Sequence, residues 1–277
     1  ESLPTEDLGE ARRDSGPLSR HEAQLAAEAS ASPLVEPTAM RPWIPVVLAL
    51  AACAAYVIAQ IMVFTVILVF ESQNNDSFDF EAWLVQAETS GFVLAVCTIV
   101  ASAVVVPLFI GLIALAAPRS LNKLLALHWP GARTTLMWIF AAIAFVVAAD
   151  GITWLSGREV VPHFMREAYK TAGSLPLLCC ALLIAAPVTE ELIFRGLLFH
   201  GLIGTRLGLI GVCILTSLAF ASMHLQYDMY YLVILFAGGL LLAAARYATR
   251  SIVTCILMHS VWNLVALAEV AWVVARA

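Results

Sequence analysis

The sequence predicts an all-α membrane protein, a polytopic bundle of about seven transmembrane helices. Three observations predict it. Of the 277 residues, 61% are apolar and 13% charged, whereas a soluble domain carries about 25% charged and 45 to 50% apolar residues. From Trp43 onward, apolar runs long enough to cross about 30 Å of hydrocarbon follow one another. The runs are continuous rather than alternating, and a backbone in lipid satisfies its polar groups only as helix or closed barrel, so helices are expected.

Residues 1–42 precede the first run. They are rich in Ala, Ser, Pro and Glu, with eight acids against four arginines (Arg12, Arg13, Arg20 and Arg41), and they contain no apolar stretch of signal-peptide type. A disordered polar tail is expected there. The runs that follow lie near 43–70, 91–117, 134–155, 174–202, 207–225, 229–246 and 251–274, and the long first and fourth leave room for a break or an eighth segment. The chain divides into amino-terminal transmembrane helices over 43–173 and a helical core over 174–277.

Net charge is −5 and the fifteen basic residues are scattered, so no nucleic-acid partner is expected, because phosphate binding needs clustered Lys and Arg. The bilayer is the partner that composition implies. Six cysteines, Cys53, Cys97, Cys179, Cys180, Cys213 and Cys255, all sit in apolar runs without metal or redox spacing and read as small hydrophobes. Loop charge sets orientation. Arg41, Arg119, Lys123, Arg133, Arg206, Arg246 and Arg250 fall on one side, and Arg158, Arg166, Lys170 and Arg276 on the other. A multi-pass protein with a cytoplasmic amino terminus is expected.

The polar residues inside the apolar runs crowd into the last hundred positions. Each intramembrane charge costs about 2.5 to 3.5 kcal/mol on insertion scales, so such residues are functional candidates by default. "TEELIFRG" supplies Glu190, Glu191 and Arg195; "FASMHL" supplies Phe220 and His224; "HSVWN" supplies His259 and Asn263. Glu191 and Arg195 are four apart on one helix face and should neutralise each other. Glu190 is turned about 100° away, free to face a different helix. Pro187, one turn earlier, removes a backbone hydrogen bond and opens a carbonyl. Glu190 lies sixteen residues before Arg206 and His224 eighteen after it, so a hairpin turning near Arg206 brings the two to one depth. Phe220 with His224, and His259 with Asn263, share faces in the same way.

A carboxylate and an imidazole can deprotonate a shared water for attack on a carbonyl, while an imidazole and a carboxamide can donate to the oxyanion. That chemistry is peptide-bond hydrolysis. A zinc ion held by His224, His259 and Glu190 stays open on ligand type, although His-Glu-x-x-His is absent. A proton-coupled transporter and a non-catalytic scaffold also remain open. Asp150, Asp228 and Glu269 read as solvated positions near helix ends, His200 as an optional site member, and Tyr227, Tyr230 and Tyr231 as an interfacial aromatic belt.

The ordered set Glu-Glu-x-x-x-Arg, Phe-x-x-x-His and His-x-x-x-Asn resembles the CPBP (Abi, CAAX protease and bacteriocin-processing) family of intramembrane endopeptidases. The resemblance covers roughly residues 174–265. It implies a glutamate-type protease without a metal cofactor, whose catalytic core is 174–277. Glu190 would activate water with His224, Glu191 and Arg195 would order the site with Phe220, and His259 with Asn263 would stabilise the oxyanion. The implied substrate is a peptide or lipidated protein, and an immunity protein is the implied non-catalytic alternative. Oligomeric state and substrate identity do not follow from the residues.

Overall fold

The computed structural model describes residues 41, 43–116 and 121–276. The tail expected over 1–42 therefore lies outside the described residues, Arg41 apart. Ten helices are described, and no strand occurs among the described residues: α1 (Trp43–Asn74), α2 (Phe80–Glu88), α3 (Gly91–Ala116), α4 (Leu121–Leu125), α5 (Ala132–Leu155), α6 (His163–Lys170), α7 (Leu175–Leu202), α8 (Gly208–Ser222), α9 (Met229–Thr249) and α10 (Ile252–Val274). Six of them, α1, α3, α5, α7, α9 and α10, are long and apolar enough to span a membrane. The protein is a multi-pass membrane bundle, as its composition predicts.

The seventh expected span is α8, and its length matters. Fifteen residues rise about 22 Å, short of the 30 Å hydrocarbon layer. Its carboxy-terminal end, and the 223–228 loop that continues it, therefore stop short of the depth that a full span would reach, with Met223 and Leu225 exposed.

The helices alternate in direction, so the bundle has two ends. At the floor, Ser251 Oγ donates to the His128 carbonyl, and Gly201 packs against Pro45. At the mouth, the Gly91 amide donates to Thr171 Oγ1 at 2.9 Å and Arg158 pairs with Asp228 at 3.1 Å. Local chemistry sets several boundaries. Asp79, Asp228 and Ser251 cap α2, α9 and α10 by accepting from backbone amides of the first turn. Two glycines allow close packing that any side chain would block. A Cβ at Gly91 would lie 1.7 Å from the Ala168 carbonyl oxygen, and one at Gly238 would lie 1.9 Å from the Trp262 ring.

α7 is the central helix. Half of its most apolar window is buried within the protein, against 6% for α1, and its Leu197 and Phe199 are fully buried in the main core beside Phe220 of α8 and Ala243 of α9. It is also irregular, with π-helical stretches at Ala181–Ala185 and Leu192–Phe199. The break that the long fourth run left room for takes this form: widened turns, not interruption. Single π turns recur at functional sites because they free carbonyls and re-aim side chains.

The charge count by side needs one correction. Arg246 is 1% exposed and donates from Nε to the Arg195 carbonyl at 3.0 Å, so it belongs to the core and not to a floor loop. It lies in the last turn of α9, on the face turned toward α7.

Candidate active site

The site forms where α7, α8 and α10 meet. Pro187 has no amide hydrogen to offer the Leu183 carbonyl four residues earlier. Ser260 Oγ lies 2.8 Å from that oxygen and 2.8 Å from the Ile256 carbonyl, sharing its one proton between them, and Asn263 Nδ2 donates to the neighbouring Leu182 carbonyl at 2.7 Å. Ser102 of α3 and Thr189 both donate to the Ala185 carbonyl, at 3.2 and 2.8 Å. Carbonyls along the widened turn are thus tied by side chains to α3 and α10. The turn just before Glu190 is fixed as a result.

Glu191 and Arg195 meet as their spacing predicts, Nη1 to Oε1 at 3.0 Å, with neither side chain exposed. The same Oε1 stands 2.9 Å from Nδ1 of His259, so the ion pair reaches across to α10. Arg195 is held further by Gly239, whose carbonyl accepts from Nη2 at 3.1 Å. Its guanidinium also lies 4.6 Å from the centroid of the Phe220 ring, a cation–π arrangement. Phe220 stands between charge and imidazoles, edge-on to His259 at 5.6 Å and tilted against His224 at 5.0 Å.

Glu190 points elsewhere, as the 100° step requires. Its Oε2 lies 3.9 Å from Nε2 of His224 and 3.9 Å from Nε2 of His259. Neither separation is a direct hydrogen bond, and each is of the kind a bridging water closes. His224 Nδ1 sits 3.0 Å from the Phe220 carbonyl, which fixes that nitrogen as the donor because a carbonyl only accepts. The short α8 is what lets His224 lie at the depth of Glu190.

These side chains line a cavity of about 490 Å³, within the range of ligand pockets and far larger than a water site. Glu190, His224, His259, Asn263 and Phe220 all face it, together with Trp262. Glu191 and Arg195 do not; they stand behind. His200 is buried near the floor end of α7 and is not part of the cavity wall. Among the described residues no group of three or more His, Cys, Asp or Glu side chains stands as a metal-holding cluster.

Some residues escape the sequence reading. Asp150 and Glu269, expected to be solvated, instead line this cavity and share a hydrogen bond across α5 and α10. Each lies more than a turn inside its helix, on the inner face. The tyrosines expected to form a belt are also committed inward: Tyr227 and Tyr231 line the cavity, and Tyr230 donates to Thr153 at 3.0 Å. Asp228 does cap α9 at the mouth and is more than half exposed, as expected. The cysteines are unpaired, with Cys97 and Cys255 buried. Arg246, Ser102 and Ser260 act through backbone carbonyls, for which a sequence carries no local signal.

No curated protein and no solved structure matches the chain. One family does, described as type II CAAX prenyl endopeptidase Rce1-like, over residues 172–265, about a third of the chain and the part that carries Glu190 through Asn263. Over that stretch, with the ordered motifs on the helices that meet at the cavity, the chain is similar to the Rce1-like family of CAAX-type membrane proteases.

Proposed function

We propose that the protein is a glutamate-type intramembrane endopeptidase that hydrolyses a peptide bond with a water held between Glu190 and His224, in the manner of CAAX-type carboxy-terminal processing. The observation that supports this most is the 3.9 Å gap between Glu190 Oε2 and the two Nε2 atoms. With both Nδ1 atoms facing acceptors, each neutral ring turns an Nε2 lone pair toward that gap. A water there meets acceptors for both its protons.

Glu190 takes one proton as the water oxygen bonds to the carbonyl carbon, and the carbonyl electron pair moves onto its oxygen. As the oxyanion collapses and the C–N bond breaks, Glu190 returns the proton to the departing nitrogen. Water is consumed and a carboxyl and an amine result. The remaining Asn263 N–H, and His259 once it carries a second proton, face the oxyanion. Glu191 keeps His259 in its tautomer, and Arg195 holds Glu191 in place. A tetrahedral zinc ion bonded to nitrogen and oxygen at about 2.0 to 2.1 Å holds those atoms about 3.4 Å apart, closer than the separations here, which favours water over metal.

The test uses purified protein in detergent and two quenched-fluorescent peptides, a farnesylated CAAX peptide and its unlipidated twin. Wild type is expected to cleave the lipidated one, and Glu190→Gln and His224→Ala to lose at least about 10³ of kcat while purifying normally. Activity that survives in Glu190→Gln sinks the mechanism. Stoichiometric zinc with inhibition by chelators would replace water activation by Glu190 with metal catalysis, and silence of wild type on every peptide would point to a scaffold or immunity protein.

A further inference from the structure

Taking the proteolytic reading as its basis, we propose that Tyr227 is a further catalytic residue, whose hydroxyl donates to the carbonyl oxygen of the scissile bond as that oxygen becomes an oxyanion.

His224 gives its Nδ1 hydrogen to the Phe220 carbonyl, and His259 gives its own to Glu191. In the neutral rings both Nε2 atoms are lone pairs, and Glu190 is an acceptor when ionised. The three atoms that converge are therefore acceptors, suited to hold the protons of a water and unsuited to stabilise negative oxygen. Of the donors, Asn263 has given one amide hydrogen to Leu182 and retains one. Tetrahedral oxyanions are stabilised by preorganised donors placed about 2.7 to 3.1 Å away, and until His259 gains a second proton the leftover Asn263 N–H is the one such donor in that set.

Three tyrosines line the cavity: Tyr56, Tyr227 and Tyr231. Two have committed hydroxyls. Tyr231 donates to the Glu159 carbonyl, and the Tyr56 hydroxyl is hydrogen-bonded among Gln60, Thr98 and Ser102. The Tyr227 hydroxyl has no hydrogen-bond partner among the described residues. Its ring is nevertheless held. It lies nearly parallel to His224, 6.5 Å between centroids and 19° between planes, with Phe164 edge-on against it at 5.9 Å. A fixed ring with an uncommitted hydroxyl beside the water-activating histidine is what a preorganised donor requires. The hydroxyl also keeps its proton: burial first, and then the Glu190 carboxylate, push the Tyr227 phenol above its ordinary value. Tyr227 and Glu190 line the same cavity.

Tyr227→Phe deletes the hydroxyl and leaves the ring stack. Its kcat, normalised to protein in the native elution peak, is expected to fall 10²- to 10³-fold, the loss that follows removal of one oxyanion donor. KM and Tm should not move, because the free enzyme loses no bond. A second readout separates donation from packing: a peptide whose scissile amide is replaced by a tetrahedral phosphinate should bind Tyr227→Phe about 100-fold more weakly than wild type. A kcat within threefold of wild type, a change confined to KM, or an unchanged phosphinate Kd overturns the proposal. If wild type cleaves, Glu190→Gln does not, and Tyr227→Phe matches wild type, the role of Tyr227 alone falls. If wild type neither cleaves peptides nor binds the phosphinate, the proteolytic reading falls and takes this role with it.

Discussion

Glu191 and Arg195 show how a charge survives in a place where it should be expelled. Each is fully buried, and each has more than one partner: the carboxylate meets a guanidinium and an imidazole, while the guanidinium meets a carboxylate, a backbone carbonyl and an aromatic face. Removing one member leaves the other uncompensated, which costs about 3 to 5 kcal/mol for a buried pair. Glu191→Ala is therefore expected to lower Tm sharply, whereas Glu190→Gln, whose carboxylate has no direct partner closer than 3.9 Å, should leave Tm nearly unchanged. Thermal unfolding in one detergent compares the two directly. Equal losses would mean that the adjacent acids do not divide into one structural and one reactive group. This division was legible in the sequence from helical geometry alone, since adjacent residues face different directions and an acid four before an arginine meets it. Arg246 was not legible, because its partner is a carbonyl and a carbonyl has no letter.

At the scale of the element, α7 decides the site through its departures from regular geometry. Pro187 frees the Leu183 carbonyl, and Ser260 of α10 supplies the missing donor at 2.8 Å. Leaving that buried oxygen unpaired costs about 1 to 3 kcal/mol, so Ser260→Ala should destabilise by about that much. Pro187→Ala restores an amide hydrogen for the same carbonyl. In that background Ser260→Ala should cost markedly less, and unfolding measurements on the four proteins give the coupling as a double-mutant cycle. Additive effects would show that proline and serine do not serve one oxygen. The sequence announces the proline but not the π turns around it, because widening depends on whether neighbouring helices offer donors to the loosened carbonyls. For the same reason α8 was legible as apolar and helical, while the consequence of its shortness, a histidine brought level with Glu190, needed the packed neighbours.

At the scale of the molecule, the cavity has a direction. Its upper wall is built by Pro162, Phe164, Met165, Gln226 and Tyr227, all from the mouth, and the 156–164 segment is strapped there by Arg158 to Asp228, by Arg158 over the Tyr230 ring, and by Tyr231 to the Glu159 carbonyl. Floor loops take no part in the lining. The expected cytoplasmic amino terminus puts the floor in the cytoplasm, and the mouth then opens on the opposite face. With Arg246 buried, the loop-charge margin for that orientation narrows but keeps its sign, six basic residues of the expected floor set against four. Labelling with a membrane-impermeant thiol reagent decides it: in intact cells Gln226→Cys should react and Arg206→Cys should react only after permeabilisation, each measured against the parent chain with its six native cysteines. The reverse pattern would turn the mouth to the cytoplasm, and with it the supply of substrate. On the proposed function, the outcome selects which peptides reach Glu190, because the mouth admits chains only from the compartment it faces.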